Sequence, residues 1–242
     1  MIEGQAHLLA NFAGHNETSM SDNLEDLALF PLNLVLFPSS LLRLHIFEPR
    51  YKLMVEHCLQ DDLPFGIVLI RHGTEAGGIA EPYLVGTRAK IVQVFPFDNG
   101  TMDIVVQGES RFRIRGLDES RPYLIGHVQD VREYGYEISD LTEGLVEETK
   151  TNFMEWCQAL FPTEQIAVKV AFPDDWTLMS FQISNWMPVE NLQKQQLLEM
   201  TDTVDRLQLL NEMLADQVSN LVVSQDRQPL TLEDLRGYIF PN

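Results

Sequence analysis

The spacing of apolar residues changes partway along the chain, and this change limits the folds that the chain can adopt. From Leu27 to Val131, apolar residues stand in short runs, several of which alternate with polar residues as in β-strands. After about Asp140 they recur every three or four positions, as on one face of a helix. Strands and helices that are segregated in this way build an α+β fold.

Two lobes follow from this division. We predict a β-rich lobe over residues 26–134, formed by a curled β-sheet or small β-barrel with one helix, and a helical lobe over residues 135–223, formed by a helical bundle. Residues 1–25 mix glycine, asparagine, serine and acids with little periodicity, so we expect a flexible tail there. Residues 224–242 are expected to form a second tail.

Turn-forming and capping residues predict where several elements begin and end. In the β-rich lobe, Glu48 and Pro49 are expected to open the helix, because proline suits the first helical position. Asp98–Gly100 predicts a hairpin turn, since Asn and Gly tolerate positive φ. Gly108 is expected to end the return strand that starts at Met102.

The helical lobe should contain four helices. Apolar spacing predicts the first helix from Thr142 to Leu160. The next three are expected to begin at Pro173–Asp175, Pro188–Glu190 and Thr201–Thr203, where proline, acids or hydroxyl residues precede apolar repeats.

The charge and cysteine content indicate the kind of partner and the compartment. The formal net charge of -19 at pH 7 repels phosphate groups, so we expect neither nucleic acid nor a membrane as partner. No apolar run approaches the roughly 20 residues of a membrane span, and no signal-peptide pattern is visible. Cys58 and Cys157 stand far apart and are predicted to be buried thiols, which fits a reducing cytoplasm.

Motifs for catalysis and for cofactor binding are missing from the sequence. Gly73 and Gly78 have the glycine spacing of a phosphate-binding loop, but Ile79 and Ala80 stand where Lys and Ser or Thr are required. The histidines are not spaced as metal ligands, and there is no nucleophile elbow. We therefore predict no catalytic residue, no cofactor and no metal ligand.

Three arginines alternate along one predicted strand, at Arg111, Arg113 and Arg115. They could form a basic strip that binds phosphate or an acidic peptide. Alternatively, they form a solvated face that balances acids elsewhere. We favour the solvated face, because three cations without interleaved surface aromatics are a weak nucleic-acid signature.

Several ordered motifs resemble the N-terminal domain of Lon proteases. They occur in the order expected for that family and span roughly residues 27–215. The motifs are Leu29–Leu32, Val35–Pro38, Ile46–Tyr51, Gly86–Thr87, Asp98–Gly100, Val105–Gly108, Arg111–Ile114 and Leu197–Leu210.

The resemblance implies a barrel-like lobe followed by a helical bundle, and a role in recognising unfolded or tagged polypeptides. The expected protein is a stand-alone, non-catalytic member without the ATPase and Ser–Lys protease domains. The central motif is expected to be structural. Its residues are Phe47, Glu48, Pro49, Arg50 and Tyr51.

One hypothesis places a peptide groove between the two lobes, because recognition without sequence stringency needs accessible apolar surface. Its candidate contacts are Phe30, Phe37, Trp176, Trp186 and Met187. The alternative, which we favour, is that these five side chains form the core between the lobes.

The partner would be an unfolded or exposed polypeptide segment, or a partner protein, for example in protein quality control. Two other functions stay open at this point: a small hydrolase with an unrecognised site, and a structural docking subunit of a protease or chaperone assembly. The sequence leaves the oligomeric state undetermined.

Overall fold

A computed structural model describes residues 24–75, 80–160 and 170–224. The predicted tails therefore lie almost wholly outside the described residues. The strands are β1 (Glu25–Leu32), β2 (Leu41–Ile46), β3 (Phe65–His72), β4 (Glu81–Pro82), β5 (Val85–Pro96), β6 (Met102–Asp118) and β7 (Ile125–Asp130). The helices are α1 (Pro49–Asp61), α2 (Asp140–Ala159), α3 (Trp176–Trp186), α4 (Asn191–Glu199) and α5 (Thr203–Ser224).

Five strands of the β-rich lobe close into a small barrel. They pair in the order β1-β7-β6-β5-β3, and a parallel pairing of β1 with β3 completes the ring. Glycines make room for large side chains inside it: a Cβ on Gly66 would lie 2.6 Å from the Phe112 ring. The prediction of an α+β fold with a small barrel is confirmed. The barrel interior consists of Leu27, Leu29, Val68, Phe112, Ile114 and Val128.

The first half of β6 extends beyond the barrel into a three-stranded sheet, which we call the wing. It consists of residues 102–107 of β6, β2 on one side and residues 90–96 of β5 on the other. The predicted hairpin turn joins β5 to β6, and Gly100 has a φ of 74°. The wing covers α1 through buried residues of both elements: Leu42, Leu44, Ile46, Met54, Val55, Ile104 and Val106.

The prediction that Gly108 ends a strand is wrong, because β6 continues through it for 17 residues. Gly108 instead allows another backbone segment to approach closely, since an added Cβ would collide with the Phe37 carbonyl. The Ser39 N–H donates to the Gly108 carbonyl at 2.8 Å, and the Gly108 N–H donates to the Ser40 carbonyl at 2.9 Å. The glycine thus fastens the loop before β2 to the middle of β6.

The helices begin close to their predicted starts, although α2 begins at Asp140, two residues before the predicted Thr142. Glu48 precedes α1 in an extended conformation, with Pro49 in the first turn. Ser139 forms a capping box at α2. Asp175 accepts a hydrogen bond from the Leu178 N–H at α3, and Asp202 accepts from the N–H groups of the first turn of α5. The side-chain caps at α2, α3 and α5 satisfy backbone donors that the helix itself leaves free, whereas Glu48 makes no side-chain cap bond.

A shared apolar core joins the two lobes. Phe37, Leu69 and Val85 from the β-rich lobe belong to the same buried cluster as the inner faces of the four C-terminal helices. Phe37 lies with its ring centroid 6.0 Å from that of Phe181 on α3. The two lobes therefore bury apolar side chains against each other in one continuous core.

An ionic joint lies beside this core, formed by Arg111, Glu133 and Arg206. Both arginines are buried and pair with the Glu133 carboxylate, and both donate to the Met200 carbonyl, at 2.7 and 2.6 Å. The Arg206 guanidinium stacks 4.1 Å from the Phe181 ring centroid. Burial lowers the pKa of Arg206 to about 10, so the group stays charged at neutral pH.

The expected solvated arginine face is therefore wrong for Arg111, which is only 2% exposed. Its partners come from the helical lobe and from the linker between β7 and α2, residues 131–139, so strand alternation alone gave no sign of them. Arg113 and Arg115 are more accessible, and Arg115 donates to Gln129 at 2.9 Å.

Candidate functional site

Exposed aromatic side chains lie on the outer face of the wing and directly after two of its strands. Phe47 is 55% exposed, and Phe95 and Phe97 are each 46% exposed. The alternation of β2 explains why this face exists, because its even-numbered residues are buried against α1 while Arg43 and His45 point outward. Exposed aromatic clusters are costly in water and mark interaction sites.

Polar contacts order these rings. The His45 ring centroid lies 5.9 Å from that of Phe47 and 6.0 Å from that of Phe97. His45 Nδ1 lies 2.6 Å from Asp103 Oδ1, and the Arg43 guanidinium donates to Asp103 Oδ2 at 2.6 Å. Hydrogen bonds from His45 and then Arg43 lower the pKa of Asp103 below its ordinary value. The single acid of the cluster is thus matched by two basic side chains.

A groove of about 440 Å³ continues this face toward the helical lobe. One wall is the outer side of the wing at Leu41, Arg43 and Val105. The other wall is the C-terminal half of α3, with Gln182, Asn185 and Trp186. The floor is closed by residues 38–40.

We call the aromatic face and the groove together the wing–α3 surface. Its chemistry is apolar and uncharged for the most part. Arg43, His45 and Asp103 are its charged or titratable side chains among the described residues, in a chain of net charge -19. An apolar segment can bind here without burying an unpaired charge, which would be costly.

Four of the five predicted peptide contacts pack in the core between the lobes, whereas Phe30 lies apart from it; the four are Phe37, Met187, Trp176 and Trp186. Phe30 stacks on Tyr51 at 4.0 Å in the core beneath the wing. Phe37 and Met187 are fully buried in the core between the lobes. Trp176 stacks on Tyr136 at 4.6 Å. Trp186 is partly buried and lines the groove.

The central motif connects the start of α1 to the segment that follows β3. Arg50 Nε donates to Glu48 Oε2 at 3.0 Å, and Arg50 also donates to the Glu75 carbonyl at 3.0 Å. The Tyr51 ring is buried, and burial raises the pKa of its phenol. These contacts support a structural role for Glu48, Arg50 and Tyr51, which stays a prediction. Phe47 differs, because it is exposed on the wing.

Phe95 and Phe97 were not singled out by the sequence analysis. The signal was present: the two residues lie on either side of Pro96, directly before the Asp98–Gly100 turn. Alternation places them on one face of a hairpin, opposite the partly buried Val94. Two aromatic side chains on the same face next to a turn predict an exposed aromatic pair.

The described residues offer little other chemistry. They contain no group of three or more His, Cys, Asp or Glu side chains that could hold a metal ion. Cys58 and Cys157 are buried, and burial raises the pKa of each thiol to about 11, which disfavours the reactive thiolate. No helix within the described ranges has the length and apolarity needed to cross a membrane.

The fold is that of Lon N-terminal domains. The structure superposes on a Lon N-terminal domain protein from Xanthomonas campestris with a TM-score of 0.58 and 22% identity, covering 77% of this chain and 97% of that one. It superposes on the N-terminal domain of a Mycobacterium avium complex Lon protease with a TM-score of 0.60 and 19% identity, covering 79% of this chain and 99% of that one.

The chain belongs to the family described as the ATP-dependent protease La (LON) substrate-binding domain, whose family model matches residues 26–216. It is 25% identical over 221 residues to a Lon protease of Desulfovibrio desulfuricans, covering 90% of this chain and 25% of that protein. It is 27% identical over 204 residues to Lon protease 2 of Myxococcus xanthus, covering 78% of this chain and 23% of that protein. The chain thus spans about a quarter of the length of these relatives.

Proposed function

We propose that the chain is a non-catalytic polypeptide-recognition module that binds unfolded or exposed apolar segments at the wing–α3 surface. The observation that carries this proposal is a set of three half-exposed phenylalanines on the side of the wing that carries Arg43 and His45. Phe95 belongs to β5, and Phe47 and Phe97 directly follow β2 and β5. Membership of a family described by substrate binding supports the same function.

Apolar burial would provide the binding energy. Covering a fully exposed phenylalanine side chain contributes about 1.5–3 kcal/mol, so each half-exposed ring contributes about 1 kcal/mol. His45 and Arg43 hold their neighbouring rings in place through Asp103, which reduces the entropy lost on binding. The surface is therefore partly preorganised for an apolar ligand.

The absence of catalysis is part of the proposal. The matched relatives are aligned through a substrate-binding domain, which favours binding over chemistry. Peptidase assays with a casein substrate, with and without ATP, should give no cleavage above buffer. Cleavage that disappears on changing one polar residue would instead establish the hydrolase alternative.

A recognition module without chemistry of its own would act as an adaptor that presents polypeptides to another protein in protein quality control. Pull-down of the full chain from its native cytosol, compared with a variant in which Phe95 and Phe97 are serine, tests this step. A protease or chaperone captured by both forms would support the adaptor role, because the partner would then dock away from the substrate surface. Recovery of unfolded clients alone would contradict it.

The central test is binding of a permanently unfolded protein. We use reduced, carboxamidomethylated lysozyme labelled with fluorescein, which is basic and is not repelled by the acidic chain, and measure fluorescence anisotropy. The double substitution Phe95→Ser and Phe97→Ser should weaken binding about tenfold or more, since two half-exposed rings together contribute about 2 kcal/mol.

The matched control is Leu59→Ser with Leu63→Ser, two leucines of similar exposure, 47% and 55%, near the end of α1. This control should change the affinity by less than about twofold. Equal weakening by both double variants, or no binding of the unmodified chain at tens of micromolar, would refute the proposed site.

A further inference from the structure

We propose that the bound segment adds to the wing as a further β-strand along the free edge of β2, under the wall formed by α3. This inference rests on the proposed function and specifies its ligand: an extended segment with apolar side chains at alternate positions and without acidic residues. Backbone hydrogen bonds would then supply recognition that does not depend on a defined sequence.

Within the part of the chain that the structure describes, one edge of β2 has no strand partner. Among the described residues, β2 pairs only with β6, from Leu41 opposite Gln107 to Ile46 opposite Met102. An antiparallel ladder alternates, so every second residue directs both backbone groups away from the partner strand. Such an edge is a ready template for another chain.

A hydrogen bond just before β2 shows which residues of β2 bond to β6 and which face the free edge. The Gly108 N–H donates to the Ser40 carbonyl, so the even-numbered residues that follow direct their backbone N–H and C=O groups toward β6. Leu41, Arg43 and His45 therefore direct their N–H and C=O groups toward the free edge. The same three residues border the groove or the aromatic cluster.

The other open edges of the sheet are protected. In the described ranges, β1 pairs only with β3 beyond Ala28. The Leu29 N–H faces the β7 side and donates to the Leu124 carbonyl. Two residues later the same side holds Pro31, which has no N–H to offer.

The outer edge of β5 carries a bulge between Ile91 and Gln93 and ends in Pro96. Bulges and prolines are the usual means of preventing strand addition. The edge of β2 from Leu41 to Ile46 contains neither a bulge nor a proline. Of these three edges, β2 is therefore the one left able to accept a strand.

The groove beside this edge has a suitable size. Its volume of about 440 Å³ lies within the range of about 300–1,000 Å³ that ligand sites occupy. An extended segment beside β2 would therefore have room between the wing and α3.

Charge selects the composition of the segment. The chain carries a net charge of -19, whereas the acid on the wing–α3 surface, Asp103, is already paired with Arg43 and His45. Acidic residues in a ligand would meet long-range repulsion, and basic residues outside the groove would be attracted. The fitting ligand is therefore apolar in the middle with basic flanks.

The test uses synthetic peptides with the full chain. The probe is a fluorescein-labelled peptide of about ten residues, long enough to span β2, in which valine and threonine alternate between terminal lysines. Two isomers carry N-methyl groups, one on every valine and the other on every threonine. One isomer has its methyl groups toward β2 and should lose about tenfold or more in affinity, while the other should stay within about twofold.

A second measurement follows the protein backbone. In hydrogen exchange, the amides of Leu41, Arg43 and His45 should exchange rapidly in the free chain and become at least about tenfold slower with the peptide bound. The amides of Leu42 and Leu44 already bond to β6, so they should be protected in both states.

Arg43→Pro removes one outward N–H, and the matched control Arg43→Ala removes the same side chain but keeps that N–H. The proline variant should bind the peptide about tenfold more weakly than the alanine variant. Circular dichroism checks that both variants are folded. If the proline variant does not fold, the isomer comparison and hydrogen exchange decide the question.

The outcomes separate this inference from the proposed function. Equal affinity for both methylated isomers, or binding of unfolded lysozyme without protection of the β2 edge, would overturn strand addition and leave polypeptide recognition standing. Failure of the chain to bind either lysozyme or peptide would overturn both. A dimer of the chain that dissociates in Arg43→Pro but persists in Arg43→Ala would show that a second copy occupies the edge, and would also overturn it.

Discussion

Glu133 places one carboxylate against two buried guanidinium groups in the ionic joint. Glu133→Gln removes the carboxylate with which both buried arginines pair, so we expect the free energy of unfolding to fall by about 3 kcal/mol. Urea denaturation measures this change. Glu137→Gln, an exposed position farther along the linker, is the control and should alter stability by less than about 0.5 kcal/mol. A loss below that limit for Glu133→Gln would mean that the joint contributes no net stability.

The pairing of Asp103 makes the wing sensitive to acid. Because the folded-state pKa of Asp103 is lowered, its ionised form stabilises the folded state. That contribution is fully present above the ordinary pKa of 3.8 and is lost as the pH falls through the lower folded value.

The wild-type chain should therefore have a higher Tm than Asp103→Asn at pH 7, and the difference should shrink once the pH is below 3.8. Thermal melts of both proteins across this interval measure it. A difference that stays constant with pH would show that the carboxylate charge is not responsible.

Single residues also show which features a local sequence pattern can predict and which it cannot. Phe95 and Phe97 were within its reach, because alternation beside a turn is a local pattern. The burial of Arg111 was not, because its acceptors, Leu198 and Met200, lie almost 90 positions later in the chain. The alternation of charged residues along one strand does not indicate whether a side chain will meet a partner from another lobe.

At the scale of elements, the local signals predicted the helices and the hairpin. Caps at Ser139, Asp175 and Asp202 act on their own first turn, so the sequence nearby contains the information. The parallel pairing of β1 with β3 depends on contacts between distant segments, and no local signal indicated it. The barrel was predicted as a possibility, whereas its closure and the wing came from the structure.

Replacing each of two glycines by alanine should change the free energy of unfolding in opposite directions. Gly108→Ala should destabilise the chain by about 1–3 kcal/mol, because the new methyl group would collide with the Phe37 backbone. Gly144→Ala, in α2 with nothing within 4 Å of the added Cβ, should stabilise it by about 0.5–1 kcal/mol. Urea denaturation of both variants compares them directly. Equal effects would contradict the role given to Gly108.

At the scale of the whole molecule, the shared core should make the two lobes unfold together. The three tryptophans, at positions 156, 176 and 186, all report on the helical lobe. Phe37→Ala changes a core residue that comes from the β-rich lobe, and should cost about 3–5 kcal/mol.

Tryptophan fluorescence and far-UV circular dichroism should show the same shifted midpoint in urea. Phe95→Ala, an exposed phenylalanine, is the control and should move the midpoint little. Separate transitions by the two probes would mean that the lobes are energetically independent.

The ring of the barrel imposes an order of events during synthesis. β1 pairs with β7, so that Asp26 meets His127, 101 positions later, and also with β3. A ribosome therefore releases the first strand long before its second neighbour exists. Contacts between segments so far apart in the sequence form slowly, and strands that are still unpaired are prone to aggregate. A nascent chain paused before β7 emerges should thus depend on chaperones, whereas one that has passed it can complete its barrel unaided.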